Sequence, residues 1–450
     1  MVKTLMVAAP RSGSGKTTVT LGLLRALARR GIKISSFKCG PDYIDPAFHK
    51  VATGRSCYNL DSWTMPEHVL AANFRRGIGG AEFVIAEGSM GLFDGVAMDG
   101  ASGNGASSDI AARFNMPVLL VVDASGHSQS AGAVALGFNN FNPDIKIAGV
   151  VLGNIASERH YNLAKIGVEK AGIKVFGFLP RGSVPPIPER HLGLVQAGEI
   201  ANIEKMIDAV ADSIEKHLDI DSISAMACHP ALVAGSRNKT TDLICNFIPR
   251  DKCGAAVRRI ALASDIVFSF MYEHVLAGWR ESGIEIIPFS PLADEPPDMD
   301  ADLCWLAGGY PELHANTLSS NKNFLHGLQE FATEKPVHGE CGGYMVLGEA
   351  IIDAGGAEHK MAGLLPLVTS FSSKKLHLGY RKVTLATDCP IGLKESIVRG
   401  HEFHYATVIK QGEAESIGDI EDANGYALGS AGMKSGNVSG TFFHMVAGEE

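Results

Sequence analysis

The run Ser12-Gly13-Ser14-Gly15-Lys16-Thr17-Thr18 stands between a short apolar segment, Thr4 to Ala9, and a stretch from Thr17 to Arg30 with leucines at helical spacing. Few folds accommodate that order. A loop that leaves a strand and opens a helix aims successive backbone N–H groups and the helix N-terminus at one anion. Pro10 ends the strand, and a basic last turn followed by Gly31 stops the helix. Further apolar runs, Phe83 to Ala86, Val118 to Val122 and Ile147 to Leu152, lack polar alternation, as strands covered on both faces do. The pattern predicts an α/β fold, a doubly wound parallel sheet with helices on both sides.

Within the loop, Gly13 and Gly15 let the backbone wrap a phosphate, with Ser14 and Thr18 completing the cradle. Lys16 would reach the outer phosphates of a nucleotide, and the Thr17 hydroxyl would hold Mg²⁺. Pro10 occupies the place of the first glycine of the full motif. Carboxylates for a metal–nucleotide site follow at two strand ends. Asp42 and Asp45 lie in Gly40-Pro41-Asp42-Tyr43-Ile44-Asp45-Pro46, and Glu87 opens a glycine-rich run. Strand carboxyl ends are where such sheets bind ligands. Asp42 and Glu87 suit Mg²⁺, which takes one or two carboxylates besides phosphate oxygens and water.

A second motif lies far downstream. Gly339-Glu340-Cys341-Gly342-Gly343 puts glycines two residues either side of a cysteine, the spacing of a sharp strand-to-helix elbow. The helix behind it would lower the thiol pKa, and Gly342 N–H would face an oxyanion. A second donor loop is available at Gly308-Gly309-Tyr310-Pro311-Glu312. The base could be His377, His401, His404 or His444; chain order alone decides little. The other cysteines are scattered with no CxxC pair among the eight, which suits reduced, buried thiols better than zinc or disulfides.

With 40 basic against 49 acidic residues, the net charge of −9 excludes a generally basic nucleic-acid surface. There is no run of eighteen apolar residues and no leader-like N-terminus, so a membrane partner is not expected and the location is expected to be cytoplasmic. Residues 1–195 are expected to form an ATP- and substrate-binding P-loop domain. One amphipathic helix over 196–218 and an aperiodic junction make up a connecting segment, 196–250. A second α/β series then fills 251–450, with strands at Arg259 to Ala263, Ile284 to Pro288 and Leu303 to Leu306. No internal repeat is visible.

The quoted stretches, together with IPERHL at 187–192, FSPL at 289–292, KLHLGYR at 375–381 and RGHEFHY at 399–405, resemble the cobyrinic acid a,c-diamide synthase family, in its cobalt-containing or hydrogenobyrinic form. The resemblance runs through nearly the whole chain. It implies a dethiobiotin-synthetase-like P-loop domain followed by a class I glutamine amidotransferase domain. It also implies a Cys–His pair working without a third acid, the histidine lying in a terminal element matched by Gly440-Thr441-Phe442-Phe443-His444. His444 is therefore preferred as the base, with His401 and His404 assigned to a substrate-side loop.

The implied reaction is amidation of the a- and c-acetates of a corrinoid or related tetrapyrrole, using ATP, Mg²⁺ and L-glutamine. ATP would turn an acetate into an acyl phosphate, aided by Lys16, with Asp45 beside Tyr43 positioning the acetate and the c-acetate reacting first. Cys341 would attack glutamine, with Gly309 and Gly342 as oxyanion donors, and the ammonia released would have to reach the acyl phosphate unprotonated. Lys38, Arg190, Lys375 and Arg381 would meet the polyanionic ring. A homodimer is compatible with this reading. Nearby alternatives are nickel-sirohydrochlorin a,c-diamide synthase and cobyric acid synthase; GPDYIDP and KLHLGYR favour a diamide synthase over the latter. A partition-type P-loop ATPase carries a signature lysine where this chain has Arg11, and gives no reason for Cys341. Intact Lys16, Thr17, Glu87 and Cys341 weigh against a non-catalytic scaffold.

Overall fold

The computed structural model describes residues 2–190, 193–230, 249 and 257–449, without the side chains of 189–190 and 193–194. The Arg190 side chain, Cys245, Cys253 and most of the junction fall outside that set. The described residues divide into two compact units, those within Met1–Trp63 and Leu70–Lys239 and those within Thr64–Val69 and Thr240–Glu450.

In the first unit, β1 (Lys3–Ala8), β2 (Ile34–Cys39), β3 (Tyr58–Leu60), β4 (Phe83–Glu87), β5 (Val118–Asp123), β6 (Ile147–Ile155) and β7 (Val175–Pro180) form one sheet, in the order β3-β2-β4-β1-β5-β6-β7. All six pairings are parallel. The apolar runs are covered on both faces, and Leu5 to Ala9 are at most 1% exposed. Register does the rest: Val7 and Lys38 both lie opposite Glu87, so the ends of β1, β2 and β4 open at one edge of the sheet.

Helix α1 (Lys16–Arg29) follows β1 through the glycine loop, and α2 (Asp45–Thr53) starts at Asp45-Pro46 after β2. The expected single helix over 196–218 is shorter. A 3₁₀ turn (Ala197–Glu199) is followed by Asn202 at φ 62°, and only then by α3 (Ile203–His217). The left-handed residue breaks the helical ladder that apolar periodicity alone would continue. The sequence reading set this helix in a connecting segment; in the structure it packs on α1. Gly22 receives Ile214 there so closely that a Cβ would fall 2.2 Å from its Cγ1, and Arg25 and Arg29 pair with Asp208 and Asp212.

In the second unit, β8 (Arg259–Ala263), β9 (Glu285–Phe289), β10 (Leu303–Leu306), β11 (Val337–Glu340) and β14 (Val438–Thr441) run in the order β9-β8-β10-β11-β14. These pairings are parallel. Two short antiparallel strands, Met433–Ser435 and Glu415–Ser416, complete that sheet. A separate antiparallel sheet contains β12 (His377–Leu385), β13 (Ile397–His404) and β15 (Phe443–Glu449). The chain passes from β14 into β15 within two residues, so one hairpin-free step carries it from the parallel sheet to the antiparallel one. Phe324, Leu328, Phe331, Val346 and Leu347 fill the core beside the parallel sheet.

Candidate active sites

Lys16 is the first residue of α1, and Gly13 and Gly15 before it are left-handed, at φ 73° and 91°. That backbone suits glycine. Lys16 Nζ donates to the carbonyls of Met90 (2.6 Å) and Arg11 (3.3 Å), so the lysine lies folded over the loop. Burial, helped by the neighbouring Lys38, lowers it to about 8. Arg11 reaches out to Asp123 at 2.8 Å and has a surface role. Thr17 Oγ1 donates to Glu87 Oε1 at 2.6 Å.

Behind the loop is a buried charge cluster. Lys38 Nζ donates to Asp45 and, at 2.9 Å, to Glu87, with Asp42 at 3.9 Å. Burial opposes its charge, yet Asp45, Glu87 and Asp42 outweigh burial and hold Lys38 well above the ordinary lysine value. Glu87 is likewise kept ionised against burial by Lys38 and His49. Asp45 goes the other way, raised by burial and by the charge of Asp42. Asp42 Oδ1 accepts the N–H groups of Ile44 and Asp45, and Asn59 donates to the carbonyls of Gly40 and Asp42, pinning the turn. Tyr43 is buried beside them.

Thr17, Glu87 and Asp42 offer hard oxygen donors, the set Mg²⁺ requires. Two partners in this cluster escaped sequence reasoning. His49 Nε2 lies 2.7 Å from Glu87 Oε2, and Cys57 Sγ 3.4 Å from His49 Nδ1. Although burial works against it, Cys57 and Glu87 raise His49 to about 10. No local pattern marks a histidine on the first turns of α2 as the partner of an acid ending β4.

In the second unit, Cys341 has φ 47° and caps α4 (Gly342–Leu347). Its flanking glycines are sterically required. A Cβ on Gly339 would fall 2.7 Å from the backbone of Gly343, and one on Gly343 would fall 2.2 Å from Leu306 O. A Cβ on Gly342 would lie 2.9 Å from Gly309 N, so the expected donor loop abuts the elbow. His444 lies against the same loop, its Cε1 2.1 Å from where a Gly308 Cβ would stand. The nucleophile and the histidine are tied by register: Cys341 N–H donates to Thr441 O at 2.7 Å, three residues before His444.

The thiol expectation is corrected. Burial raises Cys341, the charges of Glu312 and Glu402 add to it, and the Gly342 N–H offsets only part. A six-residue helix brings too small a dipole to win. Burial also lowers His444 to about 3 and raises Glu340 to about 8, the Met445 N–H opposing.

His401 and His404 are also corrected. They lie on strand β13, where His401 pairs with His444 across β15. His404 Nε2 faces Glu402 Oε1 at 2.8 Å and Nδ1 faces Ala406 O at 3.1 Å, both acceptor oxygens, and the ring stacks on Phe442. Arg381 is buried against Glu402, not presented to a polyanion; Lys375 is exposed.

Donor atoms of His377, Glu402 and His404 lie within 4.8 Å of one another. The two rings stack nearly parallel, at 7° with centroids 4.7 Å apart, a poor arrangement for two imidazoles to share one metal in their ring planes. Glu402, held to about 2 by His404 and Arg381 against burial, is a charge-network centre.

A profile for the CobQ/CobB/MinD/ParA nucleotide binding domain matches residues 5–195, and one for the CobB/CobQ-like glutamine amidotransferase domain matches 259–450. The chain is 49% identical to the hydrogenobyrinate a,c-diamide synthase of Mesorhizobium japonicum, over 99% of this chain and 98% of that one. It is 48% identical to the enzyme of that name from Rhodobacter capsulatus and 47% to that from Agrobacterium fabrum, over 99% of both chains in each case.

Proposed function

The chain belongs to the hydrogenobyrinate a,c-diamide synthase family, and from that premise we propose how its residues share the work. The protein is a glutamine-hydrolysing amidotransferase ligase that uses ATP to amidate a tetrapyrrole in cobalamin biosynthesis. Residues 1–195 carry the ATP-dependent half and 251–450 the glutaminase half. One observation carries this reading: a single chain holds both a phosphate loop backed by Thr17 and Glu87 and a thiol elbow that abuts the Gly308-Gly309 loop against which His444 also packs.

In the first half, Gly13, Ser14, Gly15 and Thr18 cradle the phosphates. Lys16 leaves the Met90 and Arg11 carbonyls for the γ-phosphate, a small move for a lysine whose charge burial already weakens. Thr17, Glu87 and Asp42 would hold Mg²⁺, which when bound neutralises phosphate charge in the transfer. Asp45, with Tyr43 beside it, positions an acetate whose oxygen attacks the γ-phosphorus as the bond to the bridging oxygen breaks, giving an acyl phosphate and releasing ADP. Lys38 opposes the charge building there. In the second half, Cys341 attacks the glutamine amide with His444 as base and the Gly309 and Gly342 N–H groups facing the oxyanion. Ammonia then displaces phosphate, first at the c-acetate and then at the a-acetate.

The names of the relatives favour the metal-free ring, hydrogenobyrinic acid, over the cobalt or nickel rings. The proposal includes a cytoplasmic homodimer with neither nucleic acid nor membrane as partner. The net charge of −9 supports the first exclusion, and no helix of the described residues is long and apolar enough to cross a membrane.

The test is a mass-spectrometric assay with ATP, Mg²⁺ and glutamine, offering hydrogenobyrinic acid, cobyrinic acid and nickel-sirohydrochlorin in parallel. Two successive OH-to-NH₂ exchanges on hydrogenobyrinic acid are expected. Glutamine hydrolysis with no exchange on any ring would defeat the substrate assignment.

A further inference from the structure

His444 is followed by Met445, Val446 and Ala447, so the residues next to it supply no carboxylate, and Glu449 at the end of the strand is paired with Arg399. The tertiary fold brings one from elsewhere. Glu340, immediately before the nucleophile, places Oε2 3.8 Å from His444 Nδ1. Its Oε1 accepts the Met445 N–H at 3.1 Å, which pins the carboxyl against the strand bearing the histidine and leaves the other oxygen toward the ring. Both side chains are at most 4% exposed, so their interaction is little screened by water. The origin is the β11–β14 pairing, with Glu340 opposite Thr441, after which the chain turns into β15 and carries His444 back past Glu340.

We propose that Glu340 is a positioning residue for His444, completing a Cys341–His444–Glu340 relay in which the acid precedes the nucleophile in sequence. The inference rests on the Cys341–His444 reading above and adds one residue to it. With Nδ1 directed at Glu340, the reading assigns Nε2 to the thiol. Cys341 passes its proton to Nε2 as sulfur bonds to the amide carbon of glutamine. The C–N bond breaks and that proton leaves with ammonia. Water then adds to the thioester, the S–C bond breaks, glutamate departs and the thiol regains a proton. Throughout, Glu340 Oε2 faces Nδ1 at 3.8 Å, which orients the ring and, with the carboxyl ionised, opposes the imidazolium charge.

Glu402 also bears on His444 electrostatically. Its two oxygens are however taken by His404 and Arg381, and the close approach to the ring nitrogen is that of Glu340.

Glu340→Gln tests the relay, because the amide oxygen can still accept the Met445 N–H while the carboxylate is gone. In the full-length enzyme, amidation is measured with glutamine and with ammonium chloride, and the ratio of the two rates is compared. The ratio is expected to fall about 10²-fold through kcat, with the glutamine KM within about twofold of wild type and with Glu340→Asp recovering part of the loss. An unchanged ratio, a change confined to KM, or an equal loss with both nitrogen sources would overturn the assignment. Cys341→Ala separates this from the underlying reading. Glutamine hydrolysis that survives in Cys341→Ala would sink the reading itself; hydrolysis lost there but intact in Glu340→Gln would sink the relay alone.

Discussion

Cys341 and Glu340 are adjacent in sequence and are shaped by the same shortage of solvent. Burial raises the thiol and the carboxyl and lowers the imidazole of His444, so it works against the charged form of each. Cys341→Ala should lower glutamine-supported amidation by ~10³-fold or more while ammonium still supports it, as a nitrogen-source comparison would show. Glu340 carries a stability consequence as well. Its carboxyl is free to ionise at about 4.5 in the unfolded chain and at about 8 in the folded one, so the fold loses stability as pH rises between those values. Glu340→Gln should remove that decline. Denaturant unfolding at pH 5 and pH 8 is expected to show a flatter profile for the variant, and a steeper one would contradict the burial argument. At the other site, Asp45→Asn should abolish amidation from either nitrogen source and spare glutamine hydrolysis.

At the scale of elements, two contacts invite measurement. Gly22 on α1 meets Ile214 on α3 with no room for a methyl group. Gly22→Ala gains helix propensity, but the clash should dominate and destabilise the first unit by about 1–3 kcal/mol, readable as a lower denaturant midpoint. In the second unit, β12 and β13 are joined through Arg381, Glu402 and His404. Glu402→Gln leaves Arg381 buried without its charge partner and should cost about 3–5 kcal/mol. Glu402 ionises at about 2 when folded and 4.5 when unfolded, so this stabilisation is complete above 4.5 and fades as pH falls toward 2. The gap between wild type and variant should close over that range.

For the whole molecule, the prediction is separable chemistry. Lys16→Met should remove ATP-dependent amidation with glutamine or ammonium alike while glutamine is still hydrolysed; Cys341→Ala should lose glutamine hydrolysis and keep amidation with ammonium. Mixing the two variants then offers a direct readout, since ammonia released by one is usable by the other once it reaches bulk solvent. Product formation from the mixture, rising with protein concentration, is the expected result.

The local grammar of the chain determined a great deal. A glycine loop between an apolar strand and a leucine-spaced helix has one geometry, and glycines two residues either side of Cys341 have another, because each depends on backbone conformations that only nearby residues set. The unbroken apolar runs likewise announced a parallel sheet, since strands covered on both faces have no polar side to alternate. What the tertiary structure decided is whatever depends on register between distant strands. His49, with Cys57 behind it, reaches Glu87 because β2 and β4 pair with Lys38 opposite Glu87. Glu340 reaches His444 because β11 and β14 pair with Glu340 opposite Thr441. The thiol pKa followed the same rule: a helix N-terminus can be read from sequence, but the depth of burial that overrides it is a property of the packed molecule.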